Sequence, residues 1–233
     1  MHLLNNVIVG LILLTGAIAA ARLKKLTMPA AVTGAILGWL VFAGGGYTGL
    51  GMLAAFFILG TLATAWKKSE KDPLASSART TGQVIANGGV AALCGAAILL
   101  HPAYRALLEL AMAASLASAT ADTLSSELGM IYGRRHYNIL TWKPDQRGLD
   151  GVISLEGTLI GIGGSAFISL LYSISYGWDR AAWIIILAGT AGNLIDSILG
   201  ATLERKGLIG NNMVNFLNTL VAAFIAVLLF TAR

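Results

Sequence analysis

The 233-residue chain is 56% hydrophobic and 12% charged, with a mean hydropathy of +0.75, a balance that excludes a soluble domain with one core and marks an integral membrane protein. Its net charge of +5 suggests a nucleic-acid partner only until the charges are located. They lie in the connections between apolar runs, so no nucleic acid is expected. A single cysteine, Cys94, excludes an internal disulfide and a cysteine-based zinc site.

Runs of about 20 apolar residues suffice to span a bilayer. They predict an all-α, polytopic fold in one domain, 1–233, with spans at 3–21, 28–44, 49–66, 82–100, 104–122, 152–175, 181–203 and 212–231. The first span has no basic residue before it and is followed by Arg22, Lys24 and Lys25. That charge order fits a retained helix with its N-terminus outside, rather than a signal peptide cleaved near Ala17-Ile18-Ala19. Gly44-Gly45-Gly46 marks a tight outer turn between the second and third spans. Longer polar connections fall only at 67–81 and about 128–151.

With the N-terminus outside, the inner connections carry Arg22, Lys24, Lys25, Lys67, Lys68, Lys71, Arg79, Arg134, Arg135, Lys143, Arg147, Arg205 and Lys206, which is 13 of the 16 Lys and Arg residues. Arg105, Arg180 and Arg233 remain outside. The bias places both termini of this multi-pass arrangement outside the cytoplasm, and with no organellar transit sequence ahead of the first span a prokaryotic plasma membrane is expected. Gly34 and Gly38, then Gly157, Gly161 and Ser165, recur at spacings that let helices approach closely, within a monomer or a homo-oligomer.

Four acids, Asp122, Glu127, Asp196 and Glu204, sit in or beside these spans near the same membrane face. A carboxylate in hydrocarbon costs at least about 2.5–3.5 kcal/mol, so it needs a partner, a cavity or a metal. At the end of the fifth span, Ser118, Asp122 and Ser125 or Ser126 share a helical face, with Glu127 about 140° away. Asp122 is therefore the better ligand for a hard cation such as Mg²⁺, which takes one or two carboxylates plus phosphates and water. The seventh span places Asn193, Asp196, Gly200 and Glu204 on one stripe that ends beside Arg205 and Lys206, like the wall of a site. Gln83 and Asn87, and Asn211, Asn215 and Asn218, form amide stripes that start at the same surface. Together these stripes can line a cytoplasm-facing cleft, although amides also bridge helices.

The connection from Gly133 to Gly151 contains Arg134, Arg135, His136, Lys143, Asp145, Arg147 and Asp150, a composition able to bind polyphosphate and one that topology alone also demands. His2, His101 and His136 are scattered and offer neither metal-ligand spacing nor a hydrolytic triad. Carboxylates, bases and amides at one surface suit phosphoryl transfer, where the protein positions phosphates and neutralises charge.

Five ordered motifs then converge: Gln83-Val-Ile-Ala-Asn87-Gly88-Gly89, Ala121-Asp122-Thr123 with Ser126-Glu127-Leu-Gly129, Ser154-Leu-Glu-Gly157-Thr158, Asp196-Ser197-Ile-Leu-Gly200-Ala201-Thr202 and Val214-Asn215-Phe216. Over nearly the whole chain they resemble the integral-membrane family that includes plant phytyl-phosphate kinase and vertebrate transmembrane protein 19. The resemblance implies transfer of a phosphoryl group from CTP or another nucleotide to a prenyl monophosphate. It carries Asn87, Asp122, Glu127, Asp196 and Asn215 onto the family's polar motifs. The sequence departs from the family at Asp145–Gly151, where a Gly/Ser-rich turn is expected, and at Ala65, where a Lys is often found.

On this reading Asp122, Glu127 and Asp196 are the catalytic acids, with Asp122 and Asp196 holding Mg²⁺ and Glu127 a further ligand or a group orienting one. Arg134, Lys143 and Arg147 steady phosphates. Asn87, Asn193 and Asn215 bond nucleotide or phosphate, and Glu204, Arg205 and Asn211 complete the binding wall. The expected partners are a nucleoside triphosphate and an isoprenoid monophosphate lipid. The alternative is a transporter that uses the polar stripes as a path for a lipid phosphate or an ion. Transport sites favour the midplane, and although most acids cluster toward the inner surface, Glu109 falls within the fifth span and Glu156 near the start of the sixth. A lipid-binding scaffold without turnover is a third.

Overall fold

The computed structural model describes residues 2–71 and 78–232. Its long helices are α1 (His2–Arg22), α2 (Met28–Ala65), α4 (Thr81–Leu100), α5 (Arg105–Tyr132), α6 (Leu155–Tyr176), α7 (Arg180–Leu199) and α8 (Asn211–Thr231), with a four-residue α3 (Lys68–Lys71) between α2 and α4. Seven of these segments are long and apolar enough to cross a membrane. The longest, α2, crosses twice. Gly46 within it takes φ 61° and ψ −154°, a conformation that an L side chain resists and glycine accepts. There the chain folds back, so that Leu53 packs on Gly38, and Leu37 and Leu53 both reach Gly88. In a straight helix residues 38 and 53 would be about 22 Å apart. The turn expected over Gly44–Gly46 thus narrows to one residue, and the fold is an all-α membrane bundle of about eight spans.

The fifth helix differs from expectation. It continues ten residues beyond the predicted end at 122, to Tyr132. A run of apolar residues measures how much of a helix lies in hydrocarbon, whereas the hydrogen-bond ladder continues wherever side chains permit. Here Ser125 and Ser126 return their hydroxyls to the Asp122 carbonyl, at 3.0 and 2.8 Å, and occupy the helix without competing for its ladder. Glu127 consequently lies on the helix. The connection that follows folds into an antiparallel pair, β1 (Tyr137–Asn138) and β2 (Val152–Ile153), with Tyr137 opposite Ile153. α7 runs on into a single wide turn, Gly200–Glu204.

α5 is the central post, packed by α2, α4, α6, α7 and α8, and every residue from Glu109 to Ala121 is buried. Small residues set its distance from its neighbours. A Cβ added at Gly192 of α7 would strike the Ser118 hydroxyl, and one at Gly161 of α6 would strike the Asn193 amide. With no hydrophobic drive between helices in lipid, such close approach supplies the packing, and it draws α5 and α7 together where each carries an aspartate. Leu11, Ile36, Leu93, Leu187 and Phe224 are exposed on the outside, as a lipid-facing surface requires.

The connections rich in Lys and Arg gather at one end of the bundle. Arg79 N–H donates to Lys25 O at 2.9 Å and Thr27 N–H donates to Arg79 O at 3.1 Å. Arg147 donates to Met130 O, and Arg205 bonds Asp145 and the Asp150 carbonyl. At the other end the Arg180 guanidinium caps the close of α8 through the Leu229 and Ala232 carbonyls, both at 2.7 Å. Arg233 and residues 72–77 of the 67–81 connection lie outside the described residues.

Candidate active site

At the basic end, the helices enclose a cavity of about 360 Å³. α5 contributes Asp122, Thr123, Ser126 and Glu127 to its wall, and α7 with its terminal turn contributes Asn193, Asp196 and Glu204. α4 adds Gln83 and Asn87, α8 adds Asn211 and Asn215, and the β1–β2 connection closes one side with residues 147–154. Nine of the twelve residues assigned from sequence to catalysis or binding therefore meet in one space.

The centre of the site is a pair of acids. The side chains of Asp122 and Asp196, from different helices, lie within hydrogen-bonding reach of each other. Asp196 is held in orientation: Asn218 Nδ2 donates to its Oδ1 at 2.6 Å, and Ser118 donates in turn to Asn218 Oδ1 at 3.1 Å. Ser125 donates to Asn193 Oδ1 at 2.9 Å and fixes the next amide along the same wall. Among the described residues no Lys, Arg or His lies within 4.0 Å of either aspartate. Two facing carboxylates without a cation repel one another unless they share a proton or a metal.

Mg²⁺ suits this donor set, because it takes one or two carboxylates and keeps its other positions for phosphate and water oxygens. Among the described residues, no three His, Cys, Asp or Glu side chains converge on a common point, so oxygens from a ligand would have to complete the shell. Glu127 stands on the cavity wall, but its oxygens are occupied. Oε2 meets Lys71 Nζ at 2.6 Å, and Oε1 accepts from the Thr64 hydroxyl at 2.7 Å. Glu204 faces Asn211 and is charge-coupled to Asp150 and Asp196.

The basic residues expected to hold phosphate are divided. Arg147 lines the cavity and is anchored by the Met130 carbonyl at 2.9 Å. Arg134, Lys143 and Arg205 do not line it. Arg134 and Lys143 are exposed, and Arg205 ties down the β1–β2 connection through Asp145 at 3.0 Å. The Gln146 backbone N–H first, and then this guanidinium, hold the Asp145 carboxyl below its ordinary range. Glu156 lies at the same end and accepts from the Arg134 N–H at 3.3 Å. Glu109 lies at the opposite end of α5, bonded to Arg105 at 3.0 Å.

Sequence reasoning passed over Lys71 and Arg79 as topological charges, although Lys71 is the partner of Glu127 and Arg79 lines the cavity. Burial lowers the Arg79 guanidinium from its usual range, while the Glu127 charge acts against that shift. One local signal was available. Thr80-Thr81-Gly82-Gln83 is a capping box, and Thr80 N–H donates to Gln83 Oε1 at 2.9 Å, so Arg79 must sit at the mouth of a helix that carries cavity amides.

Comparison with known proteins agrees with the resemblance read from the motifs. The family described as Integral membrane protein DUF92 matches residues 11–223. An uncharacterized membrane protein of Methanocaldococcus jannaschii is 34% identical over 197 residues, 84% of this chain and 82% of that protein. A second, from Synechocystis, is 32% identical over 220 residues, covering 91% and 85%. Protein VTE6, chloroplastic, of Arabidopsis thaliana is 30% identical over 206 residues, 83% of this chain and 62% of its own length. No solved structure matches the chain significantly.

Proposed function

Because the chain belongs to the DUF92 family of integral membrane proteins, we propose that it transfers the γ-phosphoryl group of a nucleotide, CTP in the first instance, to an isoprenoid monophosphate, yielding the prenyl diphosphate. The relationship to VTE6 supports a prenyl-phosphate kinase family. The observation that carries the reading is the facing pair Asp122 and Asp196 in a polar cavity at the membrane boundary. A lipid-borne acceptor explains why such a site is built between spanning helices at all.

In the reaction a phosphate oxygen of the acceptor forms a bond to the γ-phosphorus as the bond from that phosphorus to the β-bridging oxygen breaks, and the nucleoside diphosphate leaves with the electron pair. The acceptor phosphate is already ionised at neutral pH, so no general base is required. Mg²⁺ bound by Asp122 and Asp196 would neutralise charge on the transferring phosphates. Asn218 and Ser118 fix the Asp196 carboxylate, which reduces the reorganisation needed when ligands arrive. Arg147, at the side where the β1–β2 connection closes the cavity, would meet nucleotide phosphates. Asn193, Asn211 and Asn215 offer amides to the nucleotide. In this reading the basic end faces the cytoplasm of a prokaryotic plasma membrane, where nucleotides are available.

The test is an assay of purified protein against farnesyl, geranylgeranyl and phytyl monophosphates, with each labelled nucleotide and with Mg²⁺ withheld. Label should appear in a prenyl diphosphate only when metal is present, and absence of any such product with every acceptor and donor rules the activity out.

A further inference from the structure

The cavity wall also carries a cation, Arg79, that makes no ion pair within 4.0 Å among the described residues. Arg79 is stitched by its backbone to Lys25 and Thr27 in the α1–α2 connection, and its side chain turns inward. The guanidinium carbon lies 5.3 Å from the centre of the Phe56 ring, and Nη2 rests against Gly60, where any Cβ would collide with it. Gly60 is five residues from the end of α2, which puts the guanidinium about 7 Å inside that helix end. Glycine at that position gives the head group its seat.

Glu127, the acid whose charge acts on Arg79, is committed elsewhere. Lys71, with a side chain only 4% exposed, gives its donors to the Ala63 and Thr64 carbonyls and to Glu127, at 2.8, 3.2 and 2.6 Å. The Lys71–Glu127 pair is therefore complete in itself. Among the described residues, Arg79 has no carboxylate within 4.0 Å and no hydrogen-bond acceptor on its guanidinium. It nevertheless lines both the large cavity and a small recess with Lys25, Thr61 and Thr64. A largely buried cation without a partner is costly, and a planar fork of five donors matches a phosphate anion.

We propose that Arg79 is the anchor for the acceptor's phosphate, gripping the monophosphate of a membrane-inserted lipid within the cavity that the two aspartates also line. The depth beside Phe56 and Gly60 favours a lipid source over the nucleotide. The same arm of α2 presents Ile58 and Leu62 outward, 55% and 61% exposed, so a prenyl tail in the bilayer can lie alongside it while its head group enters. The inference rests on the kinase reading above but concerns binding, and binding can be measured without turnover.

The experiment measures equilibrium binding of farnesyl monophosphate, farnesol and a non-hydrolysable CTP analogue to purified wild type, Arg79→Gln and Gly60→Ala in detergent. Wild type should prefer farnesyl monophosphate to farnesol. Arg79→Gln should lose about tenfold or more of its monophosphate affinity, as expected for loss of a charge-assisted contact, with binding of farnesol and the nucleotide analogue unchanged. Gly60→Ala, which keeps the charge but displaces the head group, should lose affinity in the same selective way, and it decides the matter if Arg79→Gln does not fold. Unchanged monophosphate affinity, or a loss confined to the nucleotide analogue, overturns the proposal. Wild type that binds the nucleotide analogue but no prenyl phosphate overturns the kinase reading itself.

Discussion

α5 carries a carboxylate near each end, and the two ends treat it differently. At the end holding the termini, Glu109 is buried and answered by Arg105 one turn away, at 3.0 Å, and Arg105 also bonds the Gly44 carbonyl at 2.8 Å. At the basic end Asp122 meets, among the described residues, another acid from a different helix and no cation within 4.0 Å. Between them α5 passes through apolar packing that includes Leu110, Met112 and Leu116, all fully buried. Charge satisfied within the fold ties helices together, whereas charge left over at a cavity awaits a ligand.

The sharpest way to break this contrast is to neutralise Asp122 or Asp196. Asp122→Asn should lower turnover by about 100- to 1000-fold, the range for losing a preorganised electrostatic contact. It should also leave the thermal unfolding temperature unchanged or raised, because like-charge repulsion is relieved. A clear fall in unfolding temperature would show that the pair is structural. Next in size is Lys71→Met. It strands Glu127, and breaking a mostly buried pair costs about 3–5 kcal/mol. Equilibrium unfolding should show that loss and its partial recovery in the double variant Lys71→Met with Glu127→Gln.

Glu109→Gln sharpens the other side of the comparison. It should cost about 1–3 kcal/mol of stability, the scale of a charged hydrogen bond, while turnover stays within about twofold of wild type. A large loss of turnover would extend the site across the membrane and revive a transport path. The smallest effect is expected at Asp145–Arg205. Since the Asp145 carboxyl is held below its ordinary range, its contribution is complete above the unfolded-state value and is lost as pH falls through the lower folded-state value. Hydrogen exchange across 137–153 should therefore stay slow somewhat below ordinary carboxylate titration and then rise. Asp145→Asn should raise exchange at neutral pH by roughly a few-fold at most, as befits an exposed pair.

The spans were legible because hydropathy and length report directly on hydrocarbon thickness, and the Gly44–Gly46 turn was legible because glycine marks reversal. The convergence of Asp122, Asp196, Asn193, Asn211 and Asn215 was foreshadowed by stripes that began at one surface. What the sequence hid was pairing between distant elements. Nothing in the order of residues says that Lys71 will close on Glu127, that Arg205 will brace the β1–β2 connection instead of a phosphate, or that Arg79 will turn inward. These depend on which side chains the packed helices leave facing one another. The full extension of α5 to Tyr132 was hidden for a different reason: the apolar run that marks the span ends near 122, whereas the serines beyond it bond back to their own helix and let it continue.

The most direct test of the central claim is electron paramagnetic resonance of Mn²⁺ titrated into the purified protein with a non-hydrolysable nucleotide analogue. Wild type should bind the ion at the Asp122–Asp196 pair, and Asp122→Asn and Asp196→Asn should each abolish that binding while remaining folded. Binding in both variants equal to wild type would contradict the account.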